Sequence, residues 1–91
     1  MSTMTDRELP ILYIKTDCPW CRAAVEFLRK YGIEYEEKNV TSDSQAFAEM
    51  KKKSSQSKAP TLDWHGRILP DFGVDELKAF LLQQNVKLED S

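Results

Sequence analysis

The two cysteines of this 91-residue chain lie in one short segment, Cys18-Pro19-Trp20-Cys21. Two thiols at this spacing can close a small disulfide ring. The segment follows an apolar, strand-like run and begins a helix-like pattern. A helix N-terminus stabilises a thiolate, which is the nucleophilic form of cysteine. Redox chemistry, in which Cys18 attacks and the more shielded Cys21 resolves, is therefore the first hypothesis.

The alternatives to a redox-active pair are an inert pair of thiols and a metal-binding pair. An inert or metal-binding pair is disfavoured, because His65 is the only histidine and would have to complete a site from a predicted turn. No metal ligand is assigned and no bound cofactor is expected. The carboxylate of Asp17 opposes thiolate formation at Cys18, whereas Lys15 and the helix N-terminus favour it, and we expect the favourable effects to dominate.

The composition of the chain excludes several classes of function. The formal charge is −2 and the charges are interspersed, which argues against binding to nucleic acid or to a membrane surface. The longest apolar runs, such as residues 11–14, are too short to span a bilayer or to form a signal-peptide core. We therefore expect a cytoplasmic location, where a Cys-x-x-Cys pair is more often catalytic or metal-binding than structural.

Chain length and hydrophobic periodicity predict a single domain over residues 9–86, with tails at 1–8 and 87–91. A strand is predicted from Leu9 to Ile14. An amphipathic helix follows from Pro19 and ends at Gly32. A half-exposed second strand is predicted over 33–40. Ser42 to Gln45 has the form of a capping box that begins a second helix.

The C-terminal part of the domain reads as a hairpin and a last helix. Ala59-Pro60 leads into short extended runs at 61–64 and 67–69, which are joined by His65-Gly66. Trp64 is predicted to lie in the core, and a helix begins near Val74. Right-handed crossovers make the first two strands parallel. The predicted fold is therefore α/β, a four-stranded mixed sheet with three helices in the order βαβαββα.

These motifs together resemble glutaredoxins, a branch of the thioredoxin-like fold. The resemblance covers nearly all of 9–82. It is carried by Tyr13-Ile14-Lys15 before the Cys-Pro-Trp-Cys segment and by 56–60, which reads Gln-Ser-Lys-Ala-Pro. It implies that Pro60 is cis and that the backbone of Ala59 pairs with the substrate as an added strand. It also implies that Lys15 and Gln56 contact the glycine carboxylate of glutathione, and that Trp20 is an exposed aromatic that docks partners.

The resemblance breaks down at the second glutathione-binding patch. Most glutaredoxins carry Gly-Gly there, whereas this chain has Pro70-Asp71. This change removes a backbone N–H and adds side-chain bulk where a ligand would approach closely. Either Asp71 or Asp75 is expected to pair with the glutathione ammonium.

The sequence thus predicts a monomeric dithiol–disulfide oxidoreductase that reduces protein or glutathione mixed disulfides, with glutathione as co-substrate. The alternative is an electron donor to a specific protein, reduced by a thioredoxin-reductase-type flavoprotein and with little specificity for glutathione. An iron–sulfur cluster carrier is less favoured, because the proline between the cysteines resembles the redox type of glutaredoxin. A binding module with incidental thiols is the remaining class.

Overall fold

The computed structural model describes residues 9–88, so the predicted tail 1–8 and residues 89–91 lie outside the described part of the chain. Leu88 packs against the core, so the packed domain reaches beyond the predicted boundary at 86. The elements follow the predicted order: β1 (Ile11–Ile14), α1 (Pro19–Lys30), β2 (Glu36–Asn39), α2 (Ser44–Ser54), β3 (Thr61–Trp64), β4 (Arg67–Pro70) and α3 (Val74–Gln83).

The four strands form one mixed sheet in the order β2-β1-β3-β4, which confirms the predicted fold class. β1 and β2 are parallel, whereas β3 is antiparallel to both β1 and β4. Thr61 is opposite Tyr13 on one side and Pro70 on the other. The ends of β1, β2 and β4 and the start of β3 therefore meet at one edge of the sheet.

Side chains that alternate along β1 divide the core between the two faces of the sheet. Leu12 faces α1 and α3, whereas Tyr13 faces α2, and both are fully buried. The α1/α3 face is filled by aliphatic and aromatic side chains, which are Ala24, Leu28, Leu62, Phe72, Leu77 and Leu81. The α2 face is smaller and contains Val40, Ala46 and Met50.

The ends of the helices follow local chemistry. Pro19 occupies the first turn of α1, where its missing N–H costs nothing, and Gly32 ends that helix with a φ of +67°. The predicted capping box at Ser42 is wrong by one residue. The carboxylate of Asp43 caps α2, accepting from the N–H groups of Gln45 and Ala46 at 3.0 and 3.2 Å. The Ser42 N–H instead donates to Asn39 Oδ1 at 3.3 Å.

Two strands are shorter than predicted. β1 begins at Ile11 rather than Leu9, and β2 spans Glu36–Asn39 rather than 33–40. The chain before β2 is held elsewhere, because the Ile33 N–H donates to the Leu28 carbonyl at the end of α1, at 2.9 Å. A backbone group used in a helix cap is not free to join the sheet ladder.

The β3–β4 hairpin has the predicted turn. His65 and Gly66 both have positive φ, +51° and +95°, as a two-residue hairpin loop requires. Trp64 packs against the core as predicted, but it is less buried than a core residue. Trp64 is half-buried at the margin of the α1/α3 core, and its ring meets His65 edge-on with centroids 5.2 Å apart.

Candidate active site

Cys18 is the N-cap residue of α1, so its sulfur lies at the start of the helix. The Sγ atom accepts a hydrogen bond from the Cys21 N–H at 3.2 Å. The side chain is partly exposed, and both cysteines are free thiols. A sulfur in this position is within reach of a substrate and next to the positive end of the helix dipole.

Cys21 lies one turn further into α1 and is almost completely buried, with 2% of its surface exposed. Its Sγ accepts a hydrogen bond from the Lys15 N–H at 3.4 Å. Burial, reinforced by the hydrogen bond with the Cys18 sulfur, raises the pKa of Cys21 to about 12. Cys21 is therefore a neutral, shielded thiol at neutral pH, whereas Cys18 is the accessible sulfur.

A side-chain network that sequence reasoning missed holds the loop before Cys18. Asp17 has a φ of +58°, a left-handed conformation that is uncommon outside glycine. The preceding Thr16 N–H donates to Thr41 Oγ1 at 3.0 Å. Asn39 Nδ2 donates to Thr16 Oγ1 at 3.3 Å, and Asn39 Oδ1 accepts from the Thr41 N–H at 2.8 Å. Asn39 therefore ties the active-site loop to the loop after β2.

The peptide bond between Ala59 and Pro60 is cis, as predicted. Pro60 is buried and immediately precedes β3, at the sheet edge from which the Cys18 loop also leaves. Ala59 is half-buried, and none of the hydrogen bonds within 9–88 involves its backbone. Its main chain is therefore free to pair with an extended segment, as the resemblance implies.

The two residues predicted to contact the glycine carboxylate, Gln56 and Lys15, lie in different surroundings. The Gln56 amide Nε2 donates to Ser54 Oγ, Lys58 O and Thr61 Oγ1 at 2.9 to 3.1 Å. Its Oε1 accepts from the Lys58 N–H at 2.7 Å. Gln56 thus braces the loop before the cis proline, and a contact with a ligand remains a prediction. Lys15 lines a groove that contains both cysteines.

Trp20 stands out from the surface, with 65% of its area exposed, which agrees with the prediction of an exposed aromatic. It lies between two depressions of about 270 and 430 Å³, and Asp71 lines the first and Asp75 the second. The structure therefore brings Trp20 close to both candidate acids.

Asp71 has a φ of +49°, so it retains the backbone conformation that glycine adopts easily. Glu76 was missed, and its carboxylate accepts from the Gly73 N–H at 2.6 Å.

Residues 9–88 contain neither a membrane-spanning helix nor a cluster of metal ligands. None of the helices in this part of the chain is long and apolar enough to cross a membrane. The same residues contain no cluster of three or more histidine, cysteine, aspartate or glutamate side chains arranged to hold a metal ion.

Comparisons with known proteins agree with this fold. A family model described as glutaredoxin matches residues 11–69. An uncharacterised glutaredoxin-like 8.6 kDa protein of the rubredoxin operon of Clostridium pasteurianum is 32% identical over 72% of this chain and 88% of its own length. The crystal structure of the thioredoxin-like protein BC3987 superposes with a TM-score of 0.73 at 28% identity, over 79% of this chain and 99% of that one.

The crystal structure of a glutaredoxin from Archaeoglobus fulgidus shares the fold at 17% identity, with a TM-score of 0.68 over 79% of this chain and 84% of that one. The family model covers the strand before the cysteines, both cysteines, the cis proline and most of the hairpin. The chain is thus a member of the glutaredoxin family and has the thioredoxin-like fold.

Proposed function

We propose that the protein is a dithiol–disulfide oxidoreductase in which Cys18 attacks a substrate disulfide and Cys21 resolves the product. The observation that carries this proposal is the asymmetry between the two sulfurs. Cys18 is partly exposed at the N-cap of α1, whereas Cys21 is buried and its pKa is raised to about 12. Membership of a family of thiol–disulfide oxidoreductases supports the same activity.

The first step is attack by the Cys18 thiolate on one sulfur of the substrate disulfide. A bond forms between Cys18 Sγ and that sulfur, the substrate S–S bond breaks, and the other half leaves as a thiolate that takes up a proton. The free backbone of Ala59 supports the expectation that it aligns an extended substrate beside Cys18.

The second step closes the Cys18–Cys21 disulfide. Cys21 loses its proton and attacks Cys18 Sγ, and the remaining substrate half departs as a thiol. The Lys15 N–H, 3.4 Å from Cys21 Sγ, stabilises negative charge on this sulfur as it forms. Two electrons have then passed to the substrate, and the protein must be reduced again.

In a reducing compartment such as the cytoplasm, two reductants could supply these electrons. Glutathione is the source that the family resemblance implies, with Lys15, Asp71 and Asp75 as candidate contacts. A flavoprotein reductase of the thioredoxin-reductase type is the second candidate. It is favoured by Pro70, which has no N–H to offer a ligand, and by Gln56, whose amide is engaged within its own loop.

Trapping the mixed disulfide tests the roles of the two cysteines. A Cys21→Ser variant should accumulate a covalent adduct with a disulfide-containing substrate, which intact-protein mass spectrometry detects. The matched Cys18→Ser variant should form none, because the remaining thiol is buried and protonated. An adduct on Cys21 in the Cys18→Ser variant at neutral pH would reverse the assignment.

Parallel reduction assays identify the electron source. One assay supplies glutathione and glutathione reductase, and the other supplies a thioredoxin reductase, both with hydroxyethyl disulfide as substrate. Turnover only in the second assay would exclude glutathione as the reductant. Turnover only in the first would exclude the reductase-dependent alternative.

A further inference from the structure

Lys15 is the first residue after β1, in the loop that leads to the cysteines. Its N–H donates to Cys21 Sγ at 3.4 Å, and this is the one hydrogen bond that the buried sulfur accepts within residues 9–88. Burial raises the pKa of the Cys21 thiol, and the Lys15 N–H acts against that rise. The direction of this N–H therefore bears on how readily Cys21 becomes a nucleophile.

Lys15 is clamped on both sides by the chain at the end of β2. The Ile14 carbonyl, in the same planar peptide unit as the Lys15 N–H, accepts from the Val40 N–H at 2.8 Å. The next peptide unit is also held, because the Thr16 N–H donates to Thr41 Oγ1 at 3.0 Å. The two peptide units that flank the Lys15 α-carbon are thus both bonded to neighbouring residues of one segment.

Asn39 completes this clamp through its side chain. Its Nδ2 donates to Thr16 Oγ1 at 3.3 Å. Its Oδ1 accepts from the N–H groups of Thr41 and Ser42 at 2.8 and 3.3 Å. Asn39 therefore fixes both Thr16 and the backbone of the residue whose hydroxyl receives the Thr16 N–H.

Cys18 is held differently, by bonds within α1 and its cap. Its Sγ accepts from the Cys21 N–H at 3.2 Å, and its carbonyl accepts from the Arg22 N–H at 3.0 Å. Neither bond involves β2 or the loop that follows it. A change in the clamp should therefore reach Cys21, through Lys15, and leave the Cys18 sulfur in place.

We propose that Asn39 and Thr41 are positioning residues for the resolving step, because they keep the Lys15 N–H directed at Cys21 Sγ. The proposal rests on the proposed function and adds residues to its second step. In that step Cys21 releases its proton and a bond forms between its Sγ and Cys18 Sγ. The bond from Cys18 Sγ to the substrate sulfur breaks, and the electron pair leaves on the substrate thiolate. A loosened clamp would deprive the charge developing on Cys21 of its donor.

Rapid mixing of the reduced protein with excess dithiobis-nitrobenzoate separates the two steps. This aromatic disulfide releases a yellow thiolate each time one of its halves leaves. Attack by Cys18 releases the first equivalent at a rate proportional to the reagent concentration. Resolution by Cys21 is intramolecular, so it releases the second equivalent at a rate that does not depend on that concentration. Each step therefore gives its own rate constant.

Substitutions in the clamp should slow only the second step. Asn39→Ala removes the donor to Thr16, and Thr41→Val removes a hydroxyl from a side chain of the same shape. Both should slow resolution about 2- to 10-fold, the range set by one neutral hydrogen bond, and change the attack rate less than about 2-fold. Thr41→Ser restores the hydroxyl and should restore the rate of resolution.

Asp43→Ala is the control for a general loss of stability. It removes the cap of α2 from the same loop, and the bonds of its carboxylate go to Gln45 and Ala46 rather than to Thr16. Both rate constants should therefore match those of the unmodified protein. Thr41→Val, which changes an exposed side chain, keeps the test decisive if Asn39→Ala does not fold.

The outcomes separate this proposal from the proposed function. Unchanged resolution in Thr41→Val would overturn the positioning role, as would an attack step that is slowed as much as resolution. Equal rates in Thr41→Ser and Thr41→Val, or the same loss in Asp43→Ala, would also overturn it, because the effect would not follow the hydroxyl. Release of only one equivalent by the unmodified protein would instead overturn the proposed function.

Discussion

The two faces of the sheet are held to their helices by different interactions. On the face that carries the cysteines, Leu12, Leu28 and Leu62 form an apolar core against α1 and α3. On the opposite face the buried ring of Tyr13 ends in a polar cluster. Its hydroxyl donates to Glu49 at 3.1 Å and accepts from Lys53 Nζ at 2.7 Å.

The polar cluster extends outward from Tyr13 through two ion pairs. Lys53 Nζ lies 2.7 Å from Asp63 Oδ2, and Lys38 Nζ lies 3.0 Å from Glu49 Oε1. The cluster thus joins α2 to β1, β2 and β3. Apolar packing holds α1 and α3 against the sheet, whereas α2 is held by a smaller apolar cluster together with directional hydrogen bonds and ion pairs.

The largest expected effect is on the apolar face. Leu28→Ala should lower the free energy of unfolding by about 2 to 5 kcal/mol, because a fully buried side chain is lost and a cavity is left. Urea denaturation followed by circular dichroism measures this. Leu82→Ala is the matched control, since Leu82 is 51% exposed on α3 and its loss should cost less than about 0.5 kcal/mol. Equal costs would mean that Leu28 is not a core residue.

On the polar face, Tyr13→Phe should lower the free energy of unfolding by about 1 to 3 kcal/mol. The change removes only a hydroxyl, so Lys53 and Glu49 each lose one hydrogen bond and keep their ion pairs with Asp63 and Lys38. Disulfide reduction at 25 °C should be unchanged, because α2 contributes none of the cysteine site. Tyr35→Phe, which removes an exposed bond of 3.4 Å to Glu37, should change stability much less. A loss of activity in Tyr13→Phe at full folding would show that the faces are coupled.

Acid should weaken the polar face selectively. The hydrogen bond from Lys38 holds the pKa of Glu49 below its usual value. Burial raises the pKa of Asp63, but the hydrogen bonds from Lys53 and the Gly66 N–H, together with the charge of Lys53, lower it further than burial raises it. A carboxylate whose pKa is lowered in the folded state stabilises the fold at pH values above the ordinary carboxyl pKa. This stabilisation is lost as the pH falls through the folded-state pKa. Unfolding measured between about pH 6 and 3 should show a smaller loss in Asp63→Asn than in the unmodified protein. Parallel curves would contradict this assignment.

The smallest effect is expected at Trp20. Its side chain is 65% exposed, so Trp20→Ala should change the free energy of unfolding by less than about 0.5 kcal/mol although the residue lies between the cysteines. Trp64→Ala is the comparison, because Trp64 is half-buried against the apolar core and its loss should cost more. A larger cost for Trp20→Ala would place this ring in the core of the active-site face.

Much of the fold could be predicted because local chemistry determines it. Pro19 and Gly32 mark the ends of α1, and His65-Gly66 marks the hairpin, through backbone preferences that need no tertiary partner. The start of β2 was misplaced because the Ile33 N–H is bonded to the end of α1. The cap of α2 was misplaced because Ser42 and Asp43 compete for the same role, and the carboxylate is the better acceptor.

Other contacts could not be predicted from sequence patterns. Gln56 was predicted to contact a ligand, but its amide is bonded within its own loop, to Ser54, Lys58 and Thr61. The bond between Tyr13 and Lys53 joins residues far apart in sequence.

The hydrogen bond from the Cys21 N–H to Cys18 Sγ makes the reacting atom part of the helix that carries it. A thiolate accepts this hydrogen bond more strongly than a disulfide sulfur does. The first turn of α1 is therefore more stable when Cys18 is reduced. Under the proposed function, each round of oxidation and reduction therefore weakens and restores this hydrogen bond at the start of α1. The free energy stored in that cap favours the reduced protein and raises its reduction potential. Amide exchange at Cys21 should report the redox state directly, without any added probe.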